Sequence, residues 1–323
     1  MSKAVFITRK IPEIGVTLLR SQGYEVDVSP LDRPMTKAEL ITQLKMKPYE
    51  AVLTLLTDKI DAEVMDAAKS VKIFSNYTIG YDNFDIVEGK KRGVYMTNAV
   101  GGGADRVAEH TCALMLALSC RVVEGDKYMR AGKYVGWDPM LLPGIKITGK
   151  TLGLVGAGRI GTEVARIASK GFGMRIAYHD ITRNQKIESL HNATFWPTVE
   201  DVLKQADIIS LHVPLTPETK HLINADHFKM MKPSAYLINT SRGPVIDEAA
   251  LVAALKSGVI AGAGLDVFEN EPSLAPGLVD LNNVVITPHI ASASLDSRND
   301  MAQLSARAII DTLQGAIPKN IVW

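Results

Sequence analysis

Short apolar runs alternate with amphipathic stretches along the first hundred residues. The predicted strands are Ala4–Thr8, Tyr24–Val28, Ala51–Leu55, Lys72–Ser75 and Val94–Thr97. Helices are predicted to begin near Pro12, Thr36, Asp61 and Asn83, where proline or a capping side chain precedes the apolar period. An alternation of this kind indicates a parallel sheet with helices on both faces.

A long helical pattern follows, from Ala104 to Ala131, with Gly132 as its terminator. Its middle is apolar nearly all round, which is typical of a buried helix, and we interpret it as the connector between two domains. The loop from Trp137 to Gly144 is rich in large apolar residues. Such a loop either forms a partner surface or packs within its own chain, and the pattern leaves both readings open.

The second half returns to the strand–helix alternation. Its predicted strands are Thr151–Val155, Arg175–His179, Ile208–Val213, Ala235–Asn239, Ala261–Val267 and Val284–Thr287. Its predicted helices are Val199–Gln205, Ala225–Met231, Glu248–Lys256 and a final one at Asp296–Leu313, capped by Ser294 or its polar neighbours. The fold class is therefore α/β, and this half is expected to be a doubly wound nucleotide domain.

A glycine motif follows the strand Thr151–Val155: Gly156-x-Gly158-x-x-Gly161 runs into an amphipathic helix. In a dinucleotide-binding βαβ unit the first glycine makes the turn, the second admits the pyrophosphate and the third lets the helix pack on the strand. Arg159 and Ile160 open that helix, whose N-terminus attracts phosphate. The alternative is a glycine-rich turn without a ligand.

Asp180 ends the next strand, nineteen positions after Gly161. An acid at this place accepts hydrogen bonds from the adenosine ribose hydroxyls and repels a 2′-phosphate. Asp180 therefore favours NAD(H), and Arg183, three residues on, keeps NADP(H) open as the alternative.

A second phosphate-binding pattern is rejected. Gly144 to Thr151 matches the P-loop letter for letter, but a P-loop follows a strand and opens a helix. Here the Gly-Lys-Thr triplet precedes a strand, so its backbone cannot face phosphates from a helix N-terminus.

Composition limits the other classes of function. The 323 residues suit about two domains, and 36 basic residues balance 35 acidic ones, which gives no basis for nucleic-acid or membrane attraction. Cys112 and Cys120 fall on one predicted helix roughly 12 Å apart, beyond disulfide reach. We expect them to be small buried fillers in a cytoplasmic protein, and no clustered Cys/His or HExxH pattern predicts a metal.

Three functional side chains follow predicted strands. Arg242, Glu271 and His289 lie in loops expected to converge on the carboxyl edge of the sheet, where ligands bind in open α/β folds. A carboxylate paired with an imidazole stabilises its protonated form, and an arginine fork suits a carboxylate or carbonyl oxygen. This set fits hydride transfer to a 2-oxo acid. A structural histidine and a surface ion pair are the simpler alternative.

At these residues the chain resembles the D-isomer-specific 2-hydroxyacid dehydrogenases, most closely the glyoxylate/hydroxypyruvate reductase branch. The resemblance covers nearly the whole chain. It is carried by Asn76–Asp85, Val107–Thr111, Gly149–Gly161, Asn239–Gly243, Gly262–Pro272 and Thr287–Ile290.

The resemblance implies a role for each matching residue. Arg242 would bind the substrate's carboxylate and keto oxygen, His289 would be the general acid, and Glu271 would hold its imidazole. The N–H groups of Ile79 and Gly80 would hold the substrate carboxylate, with Leu55 as a lid. For the cofactor, Val213 and Pro214 would flank the adenine, Thr240 and Asp266 would face the nicotinamide side and Val107 would back its ring.

The resemblance also implies an organisation. A discontinuous flavodoxin-like substrate domain, residues 1–100 plus 291–323, would surround a Rossmann NAD-binding domain, residues 101–290. Relatives are typically homodimers, and a Trp placed like Trp137 reaches the partner's active site and its substrate. The expected reaction is NAD(P)H-dependent reduction of glyoxylate or hydroxypyruvate to the D-2-hydroxy acid. Phosphite oxidation and a nucleotide-sensing binding protein of the corepressor type remain the rival functions.

Overall fold

The computed structural model describes residues 2–323 and divides into two units. The elements of the first hundred residues are β1 (Ala4–Ile7), α1 (Glu13–Ser21), β2 (Glu25–Val28), α2 (Lys37–Met46), β3 (Ala51–Thr54), α3 (Ala62–Ala67), β4 (Ile73–Asn76), α4 (Ile86–Arg92) and β5 (Tyr95–Thr97). The next elements are α5 (Ala104–Ser119), α6 (Val122–Arg130), β6 (Thr151–Val155), α7 (Arg159–Phe172), β7 (Arg175–His179), α8 (Gln185–His191) and β8 (Thr194–Phe195). The remaining ones are α9 (Val199–Gln205), β9 (Ile208–Leu211), α10 (Ala225–Met230), β10 (Tyr236–Asn239), a 3-10 turn (Gly243–Val245), α11 (Glu248–Lys256), β11 (Gly262–Leu265), β12 (Val284–Ile286) and α12 (Leu295–Leu313).

The first unit comprises the chain up to Gly103 together with Ala293–Trp323. Its described strands form one parallel sheet in the order β2-β1-β3-β4-β5. One face carries α1 and α12, which approach so closely that a Cβ on Gly15 would lie 3.0 Å from the Cβ of Ala302. The other face carries α2 and α3. Both faces are buried, as a parallel sheet requires.

The second unit, Ala104–Ser292, is built around a parallel sheet whose described strands run in the order β12-β11-β10-β9-β6-β7-β8. The order reverses between β6 and β9, and such a switch point opens a crevice at the carboxyl ends of the strands. Two apolar clusters fill the faces of this sheet, one with α5 and α7 and the other with α9, α10 and α11. The predicted α/β class with two doubly wound parallel sheets is confirmed.

The predicted unbroken helix from Ala104 to Ala131 is wrong. The helix ends at Ser119, and Arg121 takes a left-handed conformation with φ of 55° before α6 begins. The preceding helix packs on α7 and on β10–β12, so it is a buried helix of the second unit. Cys112 is buried as predicted, and burial raises its pKa to about 12, but Cys120 lies beyond α5 and is exposed.

Other differences are small or concern short elements. Most strand and helix ends lie within one or two residues of the prediction, whereas α4 begins at Ile86 after its cap Asp85, not near Asn83. No element was predicted between Asp180 and Val199, where the structure has α8 and the two-residue strand β8. Along residues 2–323, no helix combines the length and apolar character needed to cross a bilayer.

Candidate active site

The glycine loop between β6 and α7 shows three separate steric requirements. Gly156 has φ of +94°, and a Cβ there would lie 2.7 Å from the backbone of His212. A Cβ on Gly161 would lie 2.3 Å from the carbonyl oxygen of Gly156, so only glycine lets the helix approach the strand this closely. A Cβ on Gly158 would meet none of the described residues within 4 Å, which leaves its backbone open to a ligand.

The first turn of α7 is suited to an anion. Gly158 is the N-cap residue and provides no side-chain oxygen, and the turn opened by Arg159 and Ile160 contains no acid among the described residues. The first-turn N–H groups of an α-helix lack partners within the helix and carry the positive end of its dipole. This fourteen-residue helix therefore presents donors and a positive potential beside the open backbone of Gly158.

Asp180 follows β7 and borders the same loop. Its Oδ2 accepts a hydrogen bond from the N–H of Ala157 at 2.6 Å and its Oδ1 one from the N–H of Thr182 at 3.2 Å. A cavity of about 470 Å³ lies here, lined by Ala157, Gly158, Asp180, Thr182, Arg183, Asn184 and Gln185. The acid predicted to bind a ribose thus lies in a cavity next to the phosphate-suited loop.

The other residues predicted to bind the cofactor differ in accessibility. Shortly after β9, Val213 is half-buried and Pro214 is exposed, whereas Val107 and Thr240 are buried. The Thr240 hydroxyl lies 2.9 Å from that of Thr111 on α5. Their contacts with a cofactor stay predictions.

His212 was missed by the sequence reading. Its backbone closes over Gly156, its Nε2 lies 2.9 Å from Ser210 Oγ and its buried Nδ1 has no hydrogen-bond partner among residues 2–323. Burial lowers its pKa to about 3, so the imidazole is neutral at physiological pH. The strand-end position was the only available sequence signal.

His289 and Glu271 are brought together, as predicted. His289 Nδ1 lies 2.9 Å from Glu271 Oε2, and Glu271 Oε1 accepts a hydrogen bond from the N–H of Phe268 at 3.0 Å. Burial alone would raise the pKa of the Glu271 carboxyl. The hydrogen bond and charge of His289, the Phe268 N–H and the charge of Arg242 outweigh it and lower that pKa. Glu271 therefore remains an anion beside the His289 imidazole.

Arg242 follows β10 in the same unit and sits close enough to Glu271 for its charge to act on that carboxyl. Its Nη1 donates a hydrogen bond to the carbonyl oxygen of Ser241 at 2.8 Å. Its loop is fixed by Asn239, whose side chain donates to the Arg242 carbonyl at 3.0 Å. A guanidinium, an imidazole and a carboxylate are thus grouped at the carboxyl ends of neighbouring parallel strands.

Asp266 holds the loop that carries His289. Its fully buried carboxylate accepts hydrogen bonds from the N–H groups of Ile290 and Ala291, at 2.9 and 2.7 Å, and from the Thr287 hydroxyl at 2.5 Å. His110 on α5 lies 3.0 Å from that hydroxyl. The clamp keeps His289 in a left-handed conformation with φ of 53°. The family resemblance implied that Asp266 faces the nicotinamide side, and this structural role was not predicted.

The residues predicted to bind substrate in the first unit lie in two hydrogen-bonded loops. Asn76 donates to the Gly80 carbonyl at 2.9 Å and Asn98 to the Ile79 carbonyl at 2.6 Å. Within residues 2–323, no hydrogen bond pairs the N–H of Ile79 or Gly80 with a protein acceptor. Leu55 donates its own N–H to Asp58 at 2.8 Å. In the second unit Trp137 is 83% exposed.

No group of three or more His, Cys, Asp or Glu residues in the described chain could hold a metal ion.

The different surroundings of Gly158 and Gly161 give a testable contrast. Gly158→Ala should change the free energy of unfolding by less than about 0.5 kcal/mol, yet weaken NADH binding about tenfold or more because its methyl group stands where phosphate approaches. Gly161→Ala should instead lower the free energy of unfolding by about 1–3 kcal/mol, since its methyl group meets backbone. Urea unfolding and NADH titration measure both, and equal stability loss in the two variants would contradict this assignment.

The Asp266 clamp predicts a pH-dependent loss of stability. Burial opposes ionisation of Asp266, but hydrogen bonds from His110, Thr287 and the Ile290 and Ala291 N–H groups lower its pKa below the ordinary 3.8. The contribution of ionised Asp266 to folding stability is therefore fully present above its pKa in the unfolded chain. It is lost as the pH falls through its lower pKa in the folded protein. Asp266→Asn should cost about 1–3 kcal/mol at neutral pH.

The stability difference from wild type should shrink below the ordinary carboxyl pKa. Denaturant unfolding at several pH values measures it, with Asp226→Asn, an exposed acid paired with Lys229, as the control. A difference that does not change with pH would exclude the clamp as its source.

Comparison with known proteins identifies the family. The description "D-isomer specific 2-hydroxyacid dehydrogenase, NAD binding domain" matches residues 112–291. A glyoxylate reductase of Thermofilum pendens is 47% identical over 98% of this chain and 94% of its own length. Another, of Pyrococcus furiosus, is 45% identical over 100% and 96%.

Solved structures agree over the full length. A Thermus thermophilus protein superposes with a TM-score of 0.91 at 41% identity, covering 99% of this chain and 100% of its own. An NADPH-dependent glyoxylate/hydroxypyruvate reductase of Sinorhizobium meliloti, solved with NADP and malonate, has a TM-score of 0.87 at 31% identity, covering 100% and 97%. With the glycine loop and the His289–Glu271 pair in place, the chain is an oxidoreductase that belongs to the D-isomer-specific 2-hydroxyacid dehydrogenase family and uses a nicotinamide cofactor to interconvert 2-oxo and 2-hydroxy acids.

Proposed function

We propose that this enzyme reduces glyoxylate, or the closely similar hydroxypyruvate, with NADH as the preferred cofactor. The observation that carries the proposal is the grouping of His289, Glu271 and Arg242 in the unit that holds the glycine loop. The glyoxylate reductase names of relatives with 43–47% identity support the choice of substrate. Glyoxylate would give glycolate, and hydroxypyruvate would give the D-hydroxy acid.

The proposed chemistry divides binding from proton transfer. The reduced nicotinamide supplies the hydride that reaches C2 of the oxo acid. Protonated His289 gives its proton to the carbonyl oxygen as negative charge develops there, so this oxygen becomes the neutral hydroxyl group of the product. Arg242 binds the carboxylate and carbonyl oxygens and stabilises that developing charge. Glu271 stabilises the charged imidazole before transfer and keeps it oriented.

The first unit holds the backbone donors that we propose bind the substrate carboxylate. The N–H groups of Ile79 and Gly80 are suited to a carboxylate because Asn98 and Asn76 fix their carbonyls and leave the amides without acceptors among residues 2–323. Leu55, held by Asp58, would limit the size of the group on C2. This unit would be the discontinuous substrate domain, close to the proposed residues 1–100 plus 291–323, and residues 101–290 the NAD-binding domain.

The preference for NADH rests on Asp180. Its carboxylate lies in the cavity beside the glycine loop, where it would bind ribose hydroxyls and repel a 2′-phosphate. Contacts of Val107, Val213, Pro214, Thr240 and Asp266 with the bound cofactor belong to the same proposal. Use of NADP(H) remains the alternative, since the Sinorhizobium relative is NADPH-dependent.

A homodimer is the proposed assembly. Val135, Trp137 and Met140 are 99, 83 and 74% exposed on one loop of the second unit. Apolar side chains clustered in this way are typical of an interface. We propose that this loop contacts the other subunit and that Trp137 contributes to that subunit's substrate site.

Purified enzyme should oxidise NADH in the presence of glyoxylate and hydroxypyruvate faster than with pyruvate or phenylpyruvate. His289→Gln should lower kcat/KM by roughly 10²–10⁴-fold because the general acid is lost. His221→Gln is the matched control, since His221 also contacts a carboxylate, that of Glu269 at 2.6 Å, outside the proposed mechanism. The loss of reduced-nicotinamide absorbance measures the rate.

Two outcomes would contradict this proposal. A wild type that binds NADH but turns over none of the acids would exclude the reductase function, and phosphite would be assayed next. Equal activity of His289→Gln and wild type would exclude His289 as the acid.

The dimer makes a separate prediction. Light scattering after gel filtration should give twice the 35.1 kDa chain mass. Trp137→Asp should weaken association by at least about 2 kcal/mol, since a buried Trp is a common interface hot spot. Met46→Asp, at a 74% exposed position of α2, should leave the mass unchanged. A monomeric wild type would contradict the assembly.

A further inference from the structure

Arg183 is placed to decide which cofactor the enzyme accepts. It lines the 470 Å³ cavity together with Asp180 and the backbone of Gly158. Among the described residues lining that cavity, Arg183 is the only cation. A guanidinium at this place could bind a ribose 2′-phosphate, which carries the charge that Asp180 disfavours.

The guanidinium is already bound to another acid. Arg183 Nε donates to Glu188 Oε1 at 2.7 Å and Arg183 Nη2 to Glu188 Oε2 at 3.0 Å. Two parallel N–H···O bonds of this kind form the fork geometry by which arginine also binds phosphate. One edge of the Arg183 guanidinium, formed by Nε and Nη2, is therefore occupied by a carboxylate of the same chain.

Glu188 is itself fixed from the sheet. The Tyr178 hydroxyl, on β7, donates to Glu188 Oε1 at 2.6 Å, and the same hydroxyl accepts the N–H of Asn184 at 2.9 Å. Arg183 also lies over the ring of Phe195 on β8, with its Cζ 5.7 Å from the ring centroid. The pair is held by β7, α8 and β8, so it differs from an exposed ion pair with two freely moving partners.

The charges near the cavity complete the argument. Asp180 and Arg183 are the charged residues among those described that line the cavity, and Glu188 outside the lining binds the Arg183 guanidinium, which competes with its binding to a 2′-phosphate. We propose that Glu188 is a specificity-determining residue, because it sequesters Arg183 and so excludes NADPH. This inference rests on the proposed preference for NADH and adds a second determinant to Asp180.

Glu188→Gln tests the inference. The substitution keeps the side-chain size but removes the charge and one acceptor, which frees part of the Arg183 fork. We expect kcat/KM with NADPH to rise by on the order of tenfold, about one charge-assisted hydrogen bond, while kcat/KM with NADH changes by less than about twofold. The dissociation constants of both cofactors, from fluorescence titration, should change in the same ratio.

Matched variants separate sequestration from general disruption. Glu188→Gln combined with Arg183→Gln should return NADPH use to the wild-type level, since the freed cation is then absent. Glu163→Gln breaks an exposed pair on α7, in which Arg166 Nε lies 2.7 Å from Glu163 Oε2. This control should leave kcat/KM with either cofactor unchanged. Retained NADH binding shows that each variant is folded.

The outcomes distinguish this inference from the proposed function. An unchanged NADPH-to-NADH ratio in Glu188→Gln, or a rise that survives in the double variant, would overturn the role of Glu188 and leave the NADH preference standing. A wild type that prefers NADPH would instead overturn the preference itself. If that NADPH use were lost in Arg183→Gln, it would also show that Glu188 does not sequester the guanidinium.

Discussion

A buried carboxylate organises the catalytic edge of the second unit. Asp266 is fully buried, and an ionised acid is tolerated there only because N–H and O–H groups surround it. Those donors come from the segment 287–291, so the need to solvate one charge fixes the path of the backbone that carries His289. The left-handed backbone of His289, unfavourable for a residue with a Cβ, is held by this requirement.

Asp266, Glu269 and Glu271 lie two to five residues apart in the loop after β11, and they have different roles because their surroundings differ. Asp266 contacts backbone and hydroxyl donors, Glu269 contacts His221, and Glu271 contacts His289. Each carboxylate is hydrogen-bonded to a different group, so this one short loop contacts the segment 287–291, His221 and the His289 side chain. The electrostatics of the site therefore arise from placement along a loop, and no unusual residue type is needed.

How much could be predicted from the sequence depends on how local the cause is. The strand Thr151–Val155, the glycine loop and Asp180 were predicted because turn sterics and apolar period act over neighbouring residues. The pairing of His289 with Glu271 followed from the rule that parallel strands end at one edge. The break between α5 and α6 at Arg121 could not be predicted, because a left-handed residue is normally signalled by glycine and this one is an arginine. The strand β8 was missed because two residues show no apolar period, and the Asp266 clamp was missed because two of its donors are backbone N–H groups, which carry no sequence signal.

The last helix has a consequence for the order in which the chain folds during synthesis. Ala306, Ile309 and Leu313 of α12 lie in the same apolar cluster as Val5 and Ile7 of β1. One face of the sheet of the first unit is therefore covered only by α1 until the C-terminal helix has left the ribosome, whereas the second unit is contiguous and completes its core earlier. Nascent chains halted before α12 would expose apolar surface on that sheet, which makes the first-made strands the natural client of a chaperone.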